Sequence, residues 1–324
     1  MEIINYQDKY LDQIVEIWNM DVAPQSIYKS FTKEKFVKHF INHPLFDPNL
    51  FLILKKDEEV IGFGHGAYQN LESTTPGFIT FVVVKNAFQR QGFGTKMLHE
   101  LELRLKKMGK KFIRELFLNP FQLEWYIPGH EPHDHPNAPA IPYHSPFYFF
   151  LINNGYIIDG QNQDAFYQDI RKYKLPKHIE ELNCKNMNDG YYITEYDPNK
   201  HHGFESLFKA LNNDLWLQTV NNNLALKNPL KMLVVHKDGE ILGWTGPLKT
   251  ENSKRGYFAG IGIHPNAQGR GLGKSLFAEL ILHSKNNGAH FMTLFTGSQN
   301  PARKIYLNAG FKIIESFAIM RKDL

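Results

Sequence analysis

Three glycines alternate at Gly269, Gly271 and Gly273, between a short apolar run (Tyr257 to Ile263) and an amphipathic stretch beginning near Lys274. Glycine lets a backbone turn tightly and bring several N–H groups to one point. A helix starting behind such a turn adds the positive end of its dipole. The loop is therefore suited to an anion, and a pyrophosphate matches its size. The same layout occurs earlier, in FITFVVVKNAFQRQGFGTKMLHEL at 78–101. Two such loops, each after an apolar strand and before a helix, are hard to attribute to chance.

Three glycine-rich loops compete for this pattern. A P-loop requires G-x-x-x-x-G-K-[ST]. Gly273-Lys274-Ser275 satisfies its end, but Gln268 stands where its first glycine belongs, and Gly94-Thr95-Lys96 fails outright. The dinucleotide fingerprint G-x-G-x-x-G fails in both copies, since Lys274 and Met97 occupy the last position. Both copies share Q-x-x-G-x-G instead: Gln89, Gly92, Gly94 and Gln268, Gly271, Gly273.

That pattern resembles the acetyl-CoA pyrophosphate loop of the GNAT N-acetyltransferases. A second signature of that family, an Asn, a short helix bearing a Tyr, and a Gly-Phe, matches NPARKIYLNAGF at 300–311. Asn300 suits an N-cap, Pro301 a first helical position and Gly310 a C′ position, which predicts a helix from Pro301 to Ala309 carrying Tyr306. Capping alone would explain those three residues, but not their place downstream of the loop.

The resemblance implies a division of labour. Gln268, Gly269, Arg270, Gly271, Leu272, Gly273 and Lys274 would hold the pyrophosphate of acetyl-CoA, with Arg270 either contacting a phosphate or standing as a solvated charge. Backbone N–H groups at Ile261, Gly262 and Ile263 would polarise the thioester carbonyl. Asn300 would help form the cofactor site, and Tyr306 would be the general acid for the leaving thiolate, its alternative being a packing residue. Glu251, Asp214 and His264 are candidate bases without specific support. In the first copy the corresponding cofactor residues are Val82, Val83, Val84, Gln89, Arg90, Gln91, Gly92, Phe93, Gly94 and Thr95. Aligning Gly155 on Gly310 places Leu151 where Tyr306 stands. The first half is thus expected to keep a cofactor loop and lack the acid.

These residues need a scaffold, and the chain reads as an internal duplication. LILKKDEEVIGFGHG at 52–66 resembles LVVHKDGEILGWTG at 233–246, and each reads as strand, turn, strand. Gln89 and Gln268 lie 179 positions apart. The first half carries extra residues at about Phe121 to His144. Leu11 to Trp18 and Lys33 to Phe40 read as amphipathic helices, Ala165 to Ile170 as the first half's closing strand, and Tyr191 to Tyr196 as the second half's first strand. The expected fold is α/β (α+β): two tandem GNAT domains, 1–173 and 190–324, joined by a polar linker at 174–189. Each would be a mixed, largely antiparallel twisted sheet flanked by helices. This tandem layout resembles that of mycothiol-synthase-like proteins.

The inserted segment contains His130, His133, His135 and His144 among several prolines, in a spacing that fits no metal motif. No metal is expected there. Covering a cleft or recognising substrate suits a long loop better, with Phe121, Trp125, Tyr126, Phe147, Tyr148, Phe149 and Phe150 available to anchor it.

Composition narrows the remaining classes. The chain has 324 residues, 42% hydrophobic and 22% charged, with a net charge of +4 and one cysteine, Cys184. Those are globular values, enough for two cores. No basic block suggests nucleic acid. No apolar run reaches membrane-spanning length and no signal peptide opens the chain, so a cytoplasmic protein is expected. The reading is an acetyl-CoA-dependent N-acetyltransferase acting on a primary amine, monomeric or weakly dimeric. A non-catalytic acyl-CoA-binding module is the alternative.

Overall fold

The computed structural model describes residues 1–324. In chain order the elements are β1 (Glu2–Asn5), α1 (Leu11–Ile17), α2 (Lys33–Phe36), β2 (Phe51–Lys56), β3 (Glu59–Tyr68), β4 (Gly77–Val84), α3 (Phe93–Lys107) and β5 (Phe112–Glu115). The insertion supplies β6 (Trp125–Tyr126), β7 (Asp134–His135) and β8 (Ile141–Pro142), followed by α4 (Pro146–Asn153), β9 (Ile157–Ile158) and β10 (Gln163–Asp169). The second half runs α5 (Lys177–Asn188), β11 (Tyr192–Glu195), α6 (Phe204–Ala210), α7 (Asp214–Leu224), β12 (Leu233–Lys237), β13 (Glu240–Thr245), β14 (Arg255–Gly256) and β15 (Ile261–Ile263). It ends with α8 (Leu272–Asn286), β16 (Phe291–Gly297), α9 (Arg303–Asn308), β17 (Lys312–Ala318) and β18 (Met320–Asp323).

The chain divides into two compact units, Met1–Asp164 with Glu315–Leu324, and Ala165–Ile314. In unit 1 a seven-stranded sheet has the order β1-β2-β3-β4-β5-β18-β9. Both its faces are covered. Ile53, Phe63 and Phe81 pack with α1 and α2, whereas Leu52, Leu54, Ile61 and Ile79 pack with α3. That double burial explains why β2 and β4 read as continuous apolar runs rather than as alternations.

In unit 2 the strands split into two sheets. One is β11-β12-β13-β15, and the other contains β14-β16-β10-β17. Asp238 and Gly239 turn β12 into β13 with positive φ at both positions, the conformation a two-residue hairpin requires. Val234 and Trp244 pack with α6 and α7; Leu233 and Val235 pack with α8.

Three sequence expectations differ from this architecture. The strand near Ala165 to Ile170, read as closing the first half, lies between β16 and β17. The sixth strand in the unit 1 sheet comes from the C-terminal end of the chain, where Arg321 pairs with both Arg114 and Ile157. A strand pattern carries no signature of its partner, so sequence proximity misassigned it. The segment read as a linker is mostly helix α5. Its apolar stripe is narrow, but Pro176 precedes it and Gly190, at φ 84°, ends it. Finally, the strand expected from Tyr257 to Ile263 is interrupted. Arg255 and Gly256 pair with β16, whereas Ile261 to Ile263 pair with β13.

The insertion is anchored rather than loose. Trp125 and Phe121 are buried, and Tyr126 and Lys29 donate backbone N–H groups to Ile27 and Glu124. Its histidines join no group of three potential metal ligands.

Candidate active site

The site in unit 2 starts from the break between β14 and β15. The ladder between β13 and β15 matches Trp244 with Gly262, and the His264 N–H donates to the Leu242 carbonyl at 2.8 Å. Antiparallel pairing alternates, so Gly262 also faces β13, while the N–H groups of Ile261 and Ile263 point to the open edge. Of the three amides expected to polarise a carbonyl, two are available and Gly262 is not. In unit 1, Lys85 N–H donates to Ile61, which leaves Val82 and Val84 on the open edge and Val83 in the ladder.

Trp216 and Leu211 pack tightly against this strand. A Cβ on Gly260 would lie 2.4 Å from the Trp216 indole, and one on Gly262 would lie 2.5 Å from Leu211. The Thr245 hydroxyl donates to the Gly260 carbonyl at 2.8 Å and fixes the irregular segment before β15.

The loop follows. Gln268 Nε2 donates to the Ile263 carbonyl at 3.1 Å, closing the turn over a short 3₁₀ segment, Pro265–Ala267. Gly269 and Gly271 have φ of 81° and 75°, where a side chain is strained. Helix α8 begins at Leu272, slightly earlier than expected, and Lys274 and Ser275 N–H groups return to the Gly271 carbonyl. The N–H groups from Gly269 to Gly273 precede the first helical bond and are available to an anion.

Helix α5 braces this loop from behind. Leu182 Cδ2 would lie 2.7 Å from a Gly271 Cβ, and Asn186 donates to the Arg270 carbonyl. The Arg270 guanidinium lies over the Tyr191 ring, 3.9 Å from Asp189. It is thus held by protein groups here, and its carbonyl and side chain both serve the loop's shape.

Gly273 ties the site together. A Cβ there would lie 3.4 Å from Ile305 and 3.6 Å from Ile263, so β15, the start of α8 and helix α9 meet at one point. Tyr306 is the next residue on α9. Its ring packs against Phe166, Phe258 and Phe277, and burial pushes its phenol well above the usual tyrosine range. Neither a base nor a cation is paired with it. It is therefore a neutral phenol at ordinary pH.

Asn300 caps the chain as expected, but ahead of the helix rather than at its first turn. Its Oδ1 accepts the Ala302 N–H and its Nδ2 donates to Thr296, so it caps a turn, and α9 starts at Arg303 rather than Pro301. Among the candidate bases, Glu251 forms a two-point ion pair with the buried Arg255, at 2.7 and 2.8 Å. His264 Nδ1 accepts the Asn266 N–H, and Asp214 is exposed in the first turn of α7. None is positioned as a base by these contacts.

The unit 1 loop repeats this geometry with local changes. Gln89 Nε2 donates to the Val84 carbonyl at 3.0 Å, and Gly92 has φ of 81° before α3, which starts at Phe93. Gly94 meets Phe150 and Val84 as Gly273 meets Ile305 and Ile263. Arg90 takes the left-handed conformation of Gly269, with φ of 60°. Gln91 reaches only Ala87, and Thr95 is half-buried. Nothing stands behind Gly92, in contrast to Leu182 behind Gly271. Leu151 is buried at the Tyr306 position.

The "Acetyltransferase (GNAT) family" model matches residues 13–126 and 179–311. The chain belongs to the GNAT acetyltransferase family. A mycothiol acetyltransferase of Cellulomonas flavigena is 32% identical over 94 residues, 26% of this chain and 27% of that protein. One from Arthrobacter sp. is 36% identical over 85 residues, 25% of this chain and 26% of that one. The chain thus spans about a quarter of the length of the curated relatives it matches. Two solved folds match throughout: a GCN5-related N-acetyltransferase from Sphaerobacter thermophilus (TM-score 0.64, 14% identity, 99% and 95% of the two chains) and a tandem GNAT protein from the clavulanic acid pathway (TM-score 0.59, 12% identity, 99% and 98%). The tandem arrangement is therefore a property of the fold. No helix is long and apolar enough to cross a membrane.

One functional candidate escaped sequence reading: Glu115, buried at the end of β5. Its parity with buried Ile113 was the available signal.

Proposed function

We propose that the protein transfers an acetyl group from acetyl-CoA to a primary amine, with the chemistry in unit 2. The observation carrying this reading is the meeting at Gly273 of three parts: the open edge of β15, the braced glycine loop and the helix that bears Tyr306. The names of the mycothiol acetyltransferase relatives support an acetyl donor and a small-molecule acceptor.

The geometry supports the following sequence. Loop amides from Gly269 to Gly273 hold the pyrophosphate. The amine nitrogen attacks the thioester carbonyl, and the carbonyl's oxyanion is stabilised by one open-edge N–H, that of Ile261 or of Ile263, which lie roughly 7 Å apart along the strand and so serve one oxygen singly; such a donor contributes about 3 kcal/mol. The C–N bond forms, the C–S bond breaks, the amine proton leaves to solvent, and Tyr306 gives its proton to the thiolate. Solvent then reprotonates Tyr306. The raised pKa keeps the phenol protonated at ordinary pH, so a proton is present when the thiolate forms.

The test is CoA-thiol release from acetyl-CoA across a panel of primary amines, with wild type and Tyr306→Phe. Amine-dependent release that falls in the variant supports the reading. Acetyl-CoA binding with no release for any amine would favour a binding module, the alternative suggested by Leu151 in unit 1.

A further inference from the structure

The chain has four tryptophans, and three are core residues. Trp18, Trp125 and Trp244 are at most 1% exposed. Their indole N–H groups donate to the Lys29 carbonyl, the Asn137 carbonyl and the Met232 sulfur. A buried indole needs such a partner. Trp216 differs on both counts: it is half-buried, and its Nε1–H has no partner in the protein.

Its place is fixed nonetheless. Asn213 caps α7 by accepting the Trp216 backbone N–H at 3.1 Å, and the ring rests 5.8 Å from that of Trp244. The indole lies along β15. A Cβ on Gly262 would be 3.0 Å from its Cζ3, and one on Gly260 would be 2.5 Å from its Nε1. The free N–H therefore sits beside Ile261, at the end of β15 away from the glycine loop.

Unit 1 fills the same face differently. The Lys85 and His264 N–H groups make equivalent bonds to the neighbouring strand, so Phe81 and Val83 correspond to Gly260 and Gly262. Both are buried and pack with Phe40 and Phe63. A core needs nothing more. In unit 2 the strand has no side chain at either position, and an indole with an unused donor covers it.

Tyr306 and Phe258 pack on the α8 side of the sheet, and Trp216 packs on the α6 and α7 side. The leaving thiolate belongs beside Tyr306, which leaves the amine the Trp216 side to approach from. An indole N–H only donates, so neither an ammonium group nor a methylene satisfies it; an oxygen does.

We infer that Trp216 is a specificity-determining residue of unit 2, and that the acceptor is a primary amine with a hydroxyl or carbonyl oxygen close to its nitrogen. That oxygen accepts the Trp216 Nε1–H. This deepens the acetyl-transfer reading and rests on it. The indole moves no proton; it holds the oxygen while the amine nitrogen attacks.

The experiment follows CoA-thiol release by the full chain with acetyl-CoA and either ethanolamine or propylamine, which has a methyl group in place of the hydroxyl. The ratio of kcat/KM for the two amines should fall at least about fivefold from wild type to Trp216→Phe, the worth of a neutral hydrogen bond. Comparing ratios cancels the different basicities of the amines. Trp216→His keeps a ring N–H and should retain part of the preference, and thermal midpoints report the folding of both variants. In wild type with CoA, one indole N–H resonance should move on adding ethanolamine and stay in place with propylamine. A ratio unchanged in folded Trp216→Phe, indole resonances indifferent to ethanolamine, or release with other amines but with neither probe overturns the inference and leaves acetyl transfer standing. Acetyl-CoA binding without release for any amine overturns both.

Discussion

Gln268 closes its loop by donating to the carbonyl of Ile263, and that same residue presents its N–H on the open edge, where the proposed function puts the acyl carbonyl. One strand end thus positions both the glycine loop and an open-edge N–H. Gln89 and Val84 repeat the relationship in unit 1.

Tyr306→Phe should lower kcat by about 10²- to 10⁴-fold, the usual contribution of a positioned proton donor. Its ring packs among Phe166, Phe258 and Phe277, and phenylalanine keeps those contacts. Stability should change by less than about 1 kcal/mol. Steady-state kinetics and a thermal melt check the two halves of this expectation.

Gly271→Ala should destabilise unit 2 by about 2 kcal/mol or more, combining left-handed strain with overpacking against Leu182. Leu182→Ala should recover part of that loss, a coupling measurable by a denaturant double-mutant cycle. Gly92→Ala carries only the strain, because nothing lies within 4 Å of its added Cβ.

The C-terminal strand should be essential to unit 1. Lys322 Nζ donates to both oxygens of Glu102 at 2.8 Å, and Glu102 is buried. Lys322→Met leaves that carboxylate without its partner and should cost about 3 kcal/mol. Deleting 320–324 removes the strand between β5 and β9 altogether. Guanidinium unfolding followed by fluorescence reads both.

Acid should weaken unit 1 through His65. The ring is fully buried among Phe40, Phe51, Phe81 and Phe121, with Nδ1 at 3.0 Å from the Thr80 hydroxyl. Burial drives its pKa down to about 3. Its folded value lies below the unfolded one of about 6.5, so the unfolded chain binds the extra proton. Its stabilisation is complete above pH 6.5 and is lost as pH falls toward 3, by up to about 1.4 kcal/mol per unit. Urea midpoints against pH should flatten over that window in His65→Gln.

Much of the candidate site is legible in the chain because glycine at positive φ and a turn-capping Asn leave local signatures: Gly271, Gly310 and Asn300 all show them. What the chain hides is set by tertiary partners. Helix α5 looks polar because its apolar contacts are few, at Ile179 and Leu182, and its other inward residues, Asn183 and Asn186, are polar side chains with hydrogen-bond partners. The exchange of β10 and β18 is invisible because either strand's pattern suits either sheet. Glu115 reads as an exposed charge in FIRE until Ile79 is seen opposite. The choice between Gly262 and its neighbours as oxyanion donors depended on ladder parity, which only the register with Trp244 reveals.

The most direct test of the central claim is calorimetric titration of acetyl-CoA into wild type, Gly271→Glu and Gly92→Glu. Two equivalents in wild type are expected, with one lost in each variant. No binding to the wild-type protein would contradict an acyl-CoA function for either loop, and unchanged binding by folded Gly271→Glu would contradict the assignment of the unit 2 site.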